Sequence, residues 1–285
     1  MKRAILNKVL SRKPEVPLYH YTRQSGLLGI IGKKEIWATH TQYLNDRREY
    51  LHALGVVREE IDKLLVSAGQ ESRIVLEEMK NGISGIESMN VCVCSFSEDR
   101  DSLSQWRAYS SVPSGFAIGF SGDFLAEVAK DKQWYLAPCI YEPDQQRVVI
   151  RALVEEVFEE NVERRDTNEA EQDHLPLGGN LCAYLHRYAP LLKDDSFRGE
   201  KEWRCISRPL RCTHKLFDFR EGNSMLIPYY RLPLNDTKQN FRVHEVVVGP
   251  TPNEQQSQRS LKSFLVRHGY KKVPVELSSV PYRNW

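Results

Sequence analysis

The run Phe197-Arg198-Gly199-Glu200-Lys201-Glu202-Trp203-Arg204 places two carboxylates two residues apart among three cations, next to an indole. Strand alternation puts Glu200 and Glu202 on one face, where like charges raise one pKa unless Arg198, Lys201 and Arg204 offset them. The same alternation turns Trp203 toward a core and fixes Glu202 and Arg204 on the other face. A fixed carboxylate can hold a sugar hydroxyl and stabilise an oxocarbenium-like centre. The plainer role for such charges is an edge strand that resists aggregation.

Two earlier patches mix residue types in the same way. In Leu18-Tyr19-His20-Tyr21-Thr22, alternation puts His20 on the face opposite Tyr19 and Tyr21. Such a histidine serves either as a polar pocket floor or as a core side chain bonded to a carbonyl. Mid-chain, Cys94-Ser95-Phe96-Ser97 precedes Leu103-Ser104-Gln105-Trp106-Arg107-Ala108-Tyr109. Its aromatics can stack on a flat ring or serve as core anchors. No Gly-x-Ser-x-Gly elbow surrounds Ser95, Ser97 or Ser104, and no phosphate-cradling glycine loop is present. Cys92-Val93-Cys94 has the wrong spacing for a zinc knuckle. His174, Cys182 and His186 lack a fourth ligand nearby in sequence, and no metal site is expected.

These patches need a sheet to bring them together. Leu18–Tyr21, Glu35–Thr39, Met89–Phe96, Gly115–Phe120, Trp134–Tyr141, Glu202–Ile206, Leu226–Tyr230, Val243–Val248 and Val273–Leu277 read as strands. In the third, Val91 and Val93 point one way and Cys92 and Cys94 the other. Thr22 is expected to cap a helix carrying Leu27, Leu28, Ile30 and Ile31, with Gly32 as its stop. Further helices are expected from Asn45-Asp46 through Val57, over about 58–80, at 124–128, within 145–195 with a break near 173–179, and at 253–268. Strands and helices alternate without a βαβ rhythm or an internal repeat. The expected fold class is a single α+β domain over 1–285, with an N-terminal arm at 1–17 and a helical insertion at 145–195.

The 285 residues can bury a substantial core, and 41% apolar with 27% charged residues describes an ordinary globular chain. A net charge of +2 gives little bulk attraction to nucleic acid, although 198–242 is locally basic. No window is apolar enough for a membrane span. No long apolar run follows the basic start, so a secretory leader is not expected. The six scattered cysteines are then expected to be reduced thiols in a cytoplasm.

In combination, Tyr19–Thr22, Leu44-Asn45-Asp46 with Glu49, Ser95–Tyr109 and Glu200–Arg204 resemble a bacterial family catalogued as domain of unknown function 2971. Tyr19–Thr22 followed by Leu27–Ile31 also resembles the start of the ADP-ribosyltransferases that modify DNA. That resemblance implies a split mixed β-sheet with helical insertions and NAD in the cleft. The partner is a nucleic-acid or protein acceptor, or water in an NAD hydrolase, in a role compatible with a defence or toxin effector. It assigns catalysis to Glu202, His20 and Tyr109, and contact with NAD to His20, Tyr21, Thr22, Tyr43, Asn45, Trp106, Arg107 and Arg204. His20 would orient the adenosine-side ribose and Thr22 the amide or a phosphate. Tyr109 (or Tyr43) and Trp106 would pack the nicotinamide, and Glu202 would bond the adjoining ribose. Two rival expectations are a non-catalytic nucleic-acid-binding or defence module, using 198–242 with Trp106 and Trp203, and a metal-dependent nuclease.

Overall fold

The computed structural model describes residues 1–44, 47–110, 115–166, 179–236, 238 and 240–281, with no side-chain description at 47–50, 166 and 179. Asn45, Asp46 and His174 lie outside the described residues. Ten described strands form one mixed sheet: β1 (Leu18–Arg23), β2 (Glu35–His40), β3 (Cys92–Ser97), β4 (Gly115–Phe120), β5 (Tyr135–Pro138), β6 (Glu202–Ile206), β7 (Phe217–Glu221), β8 (Leu226–Pro233), β9 (Glu245–Val248) and β10 (Val275–Leu277). Their order is β10-β9-β4-β1-β3-β2-β8-β7, with β6 joining β3 to β5. The β9/β10 pair is parallel and the other strand pairs are antiparallel. The architecture is therefore α+β.

One face of the sheet packs on α2 (Gln24–Lys33), α6 (Gly122–Asp131) and α9 (Glu254–Arg267). Its core contains Leu18, Cys92, Cys94, Phe96, Ile118, Phe120, Trp203 and Cys205, with Leu27, Ile30 and Ile31 of α2. The opposite face carries Val91, Val93, Ala137 and Ile206. The alternation expected along β3 is present, and Trp203 turns into the core as anticipated. Beyond this second face lies a helical layer of α1 (Lys2–Leu10), α3 (Arg47–Ser67), α4 (Gln70–Gly82), α7 (Pro143–Asp166) and α8 (Gly179–Tyr188). These helices enclose a core of their own, including Leu54, Ile61, Leu76, Leu153 and Leu185. α1 docks on α7, where Lys2 and Arg3 meet Glu159, Glu156 and Glu160.

Several local expectations change. Thr22 stays in β1, and the N-cap of α2 is Arg23, without a side-chain cap bond. α2 runs past Gly32 and ends at Lys34, whose φ of 57° turns the chain directly into β2. The two helices expected up to residue 80 are present as α3 and α4, but the break between them falls at Ala68-Gly69 rather than near residue 58, with Gly69 as the N-cap of the second. β7 was not anticipated.

β3 organises the sheet around an opening. One edge pairs with β6 along Val93–Ser97. The other edge is shared: β1 meets it at the single position Tyr19↔Ser97, and β2 meets it at Thr39↔Val93 and His40↔Cys92. β1 then follows β4 over its full length, and β2 follows β8. The two strands peel away from β3 in opposite directions and leave a notch beside residues 94–96.

Candidate functional site

A hollow of about 210 Å³ occupies the notch. Its walls include His20 and Tyr21 of β1, Trp37 and Thr39 of β2, Ser95 of β3, Tyr109 at the end of α5 (Leu103–Tyr109), and Glu202 of β6. Register alone puts His20 and Glu202 on opposite faces of the sheet. Glu202 lies opposite Ser97, which lies opposite Tyr19, whereas His20 lies opposite Ile118 of the α2-side core. The fork lets both reach one hollow. A second hollow of about 430 Å³ shares His20, Trp37, Thr39, Tyr109 and Arg220 with the first. A third, of about 470 Å³, adjoins through Tyr43 and Leu44. The three hollows are therefore contiguous, with the notch between the other two.

Glu202 is buried and held by two cations. Arg204 Nε reaches one carboxylate oxygen at 2.7 Å, and its Nη2 lies 3.2 Å from the other. Lys193 Nζ sits 2.7 Å from Glu202 and 3.1 Å from Glu200. Burial opposes ionisation of Glu202, but Arg204 and Lys193 overcome it and hold its pKa at about 2. The expected mutual repulsion of the two glutamates is thus more than cancelled, first by Arg204 and then by Lys193, a lysine the sequence reading missed. Of the three nearby cations proposed, only Arg204 bonds this carboxylate. Arg198 pairs with Glu142 and Asp195, and Lys201 with Asp99. Lys201, at φ 43°, breaks the alternation between Glu200 and Glu202, and Lys193 gathers both carboxylates. Tyr141 Oη accepts the Glu202 backbone N–H at 2.8 Å, and Arg204 Nη1 donates to the Pro190 carbonyl at 2.6 Å.

His20 Nδ1 lies 3.0 Å from the Ser95 carbonyl. A carbonyl only accepts, so Nδ1 carries the proton and Nε2 is left as an acceptor. Burial lowers the imidazole pKa, against the Ser95 bond that raises it, which keeps the ring neutral near pH 7. Tyr109 is 37% exposed. Burial, then Glu200 and Glu202, push its hydroxyl up to about 12, leaving a neutral phenol. Tyr21 Oη donates to the Asp99 carbonyl at 2.7 Å and accepts the Ser102 N–H at 3.0 Å, so its hydroxyl is spent on structure.

The other expected contacts separate. Trp106 has no exposed surface. It packs edge-on against Tyr21 at 4.6 Å and donates to Asp101 at 2.7 Å, so it anchors α5 and cannot stack on a ligand. A Cβ at Gly249 would come within 2.9 Å of its ring, a measure of how tightly it is enclosed. Arg107 is exposed and lines neither the notch nor the adjoining 430 Å³ hollow. Arg204 lies behind Glu202 and positions it. Thr22 lines the second hollow rather than the notch, and Tyr43 lines the first and third. The exposed aromatic that sequence reading missed is Trp37. It is 47% exposed, lies 4.4 Å from Tyr229, and lines both the notch and the second hollow. Arg220, also missed, comes with β7. The period-two run Phe217-Asp218-Phe219-Arg220-Glu221 was the available signal.

Residues 105–205 match a protein family described as Protein of unknown function (DUF2971). The matched stretch contains Tyr109, Lys193, Glu200 and Glu202. Among curated proteins and solved structures, none matches the chain.

Proposed function

We propose that this protein cleaves the glycosidic bond between nicotinamide and ribose in NAD. It would pass ADP-ribose to a nucleic-acid or protein acceptor, or to water. The supporting observation is the immobilised, ionised Glu202 carboxylate in a sheet notch that also holds a neutral histidine and partly exposed aromatics. As the C1′–N bond breaks, its electron pair leaves with nicotinamide and positive charge develops on the ribose. A fixed anion beside that ring stabilises the charge without reorganising at the moment of reaction. The acceptor then forms the new bond at C1′ and releases its proton to solvent. A carboxylate with a pKa near 2 is a poor base, so Glu202 acts electrostatically and through a ribose hydroxyl. His20 Nε2 accepts from a hydroxyl of the substrate. Trp37 and Tyr109 flank the nicotinamide, with Trp37 taking the role first given to Trp106.

The long basic stretch offers weaker support for a nucleic-acid-binding module. Arg198, Lys201, Arg204, Arg231 and Arg242 are all engaged with carboxylates, and Trp203 is buried. Incubating the purified chain with labelled NAD and with DNA, RNA or a protein lysate tests the proposal. Nicotinamide release is expected, with label on one acceptor or in free ADP-ribose. His20→Ala should reduce turnover by about 100-fold or more, in the range of a positioned catalytic contact. Absence of both NAD binding and nicotinamide release would end the reading.

A further inference from the structure

The 430 Å³ hollow beside the notch has a charge pattern of its own. Arg23, Lys33 and Arg220 line it, against Glu35 as the one carboxylate among its lining residues. None of these three cations forms an ion pair among the described residues, in contrast to Arg198, Lys201, Arg204, Arg231 and Arg242. Arg220 is half-buried on β7, where the one hydrogen bond of its guanidinium among the described residues is a long 3.5 Å contact to Thr39 Oγ1. It also lines both the notch and this bay. A guanidinium in such a cleft is poised for an anion, and its planar fork suits phosphate oxygens.

We propose that this bay binds the diphosphate group of a small nucleotide, with Arg220 as the principal contact and Arg23 and Lys33 at the rim. The bay is local: Trp37 and Tyr109 bound it where it meets the notch, and Arg23, Lys33 and Arg220 are gathered on this one hollow. That favours a compact diphosphate over a polymer backbone, which needs a continuous cationic track. The assignment rests on the NAD reading only in placing a ribose in the notch next door. Diphosphate binding is measured separately.

The test is calorimetric titration of the full chain with ADP, inorganic pyrophosphate, adenosine and a short single-stranded DNA. ADP and pyrophosphate should bind, and adenosine should bind at least about 10-fold more weakly than ADP. Arg220→Gln should weaken ADP by about 10-fold or more, the usual worth of a hydrogen bond to a charged group, and leave adenosine unchanged. Gly29→Met gives a second handle. Gly29 lines the bay and a Cβ there meets nothing within 4 Å, so the longer side chain occupies the space without disturbing the core. It should lower ADP affinity as well. Equal affinity for ADP and adenosine, or an Arg220→Gln variant that binds ADP normally, overturns the proposal. DNA binding tighter than ADP and lost in Arg220→Gln would transfer the bay to nucleic acid and also overturn it. ADP binding without NAD cleavage would support the bay and remove glycosyl transfer. NAD cleavage that ADP does not inhibit would remove the bay alone.

Discussion

Replacing Glu202 by Gln exchanges a bonded carboxylate for a neutral amide of the same shape. Its cost follows from the ion cluster. The folded-state pKa of about 2 lies below the ordinary 4.5, so folding favours the ionised form. That stabilisation is complete above about pH 4.5 and is lost as pH falls toward 2. The gap of about 2.5 pH units corresponds to roughly 3 kcal/mol. The mutational cost should be similar, at the low end of the usual ~3–5 kcal/mol for breaking a buried pair. The released cations keep other partners: Lys193 has Glu200, and Arg204 has the Pro190 carbonyl. At about 2–4 °C per kcal/mol, thermal unfolding of Glu202→Gln should occur ~6–12 °C below the parent at pH 7. Circular dichroism melts from pH 7 to pH 2.5 provide the assay, and the gap should close at the acid end. A gap that stays constant with pH, or one below about 2 °C at pH 7, would show that the carboxylate is not held as argued. Turnover must then be compared at a temperature where both proteins are folded. A folded Glu202→Gln enzyme with full NAD turnover would remove Glu202 from the chemistry.

The two tryptophans make opposite predictions. Trp106→Ala should destabilise the fold by about 3–5 kcal/mol in denaturant melts, because it empties an enclosed site. Trp37→Ala should change stability by less than about 1 kcal/mol yet weaken NAD binding by about 5–150-fold, the range of one lost stacking partner. His186 supplies a separate pH signature, since burial and then Arg187 push its pKa down to about 4. Its stabilising effect is complete above the unfolded pKa near 6.5 and is lost as pH falls toward 4. His186→Phe should therefore flatten the stability curve across that window, and an unchanged slope would refute the assignment.

Local patterns carried much of the fold. The two-residue alternation of Val91–Phe96 specifies which side chains face each core, because a strand's side-chain period is a property of its own backbone. The recurrence of Leu27, Ile30 and Ile31 specifies the buried face of α2 for the same reason. Trp203 could be assigned to one face of the sheet, and Glu202 and Arg204 to the other, from adjacency alone. Tertiary structure decided the rest. Burial distinguishes Trp106 from Trp37, and burial depends on which distant strands and helices close over each ring. Lys193, nine residues before Glu202 and in the loop that precedes its strand, joins Arg204 through space in holding that carboxylate ionised. The notch itself arises because β1 and β2 each have a better partner, β4 and β8, than the β3 edge they share. That competition between pairings has no local signature, and it brings His20 and Glu202 into one hollow from opposite faces of the sheet.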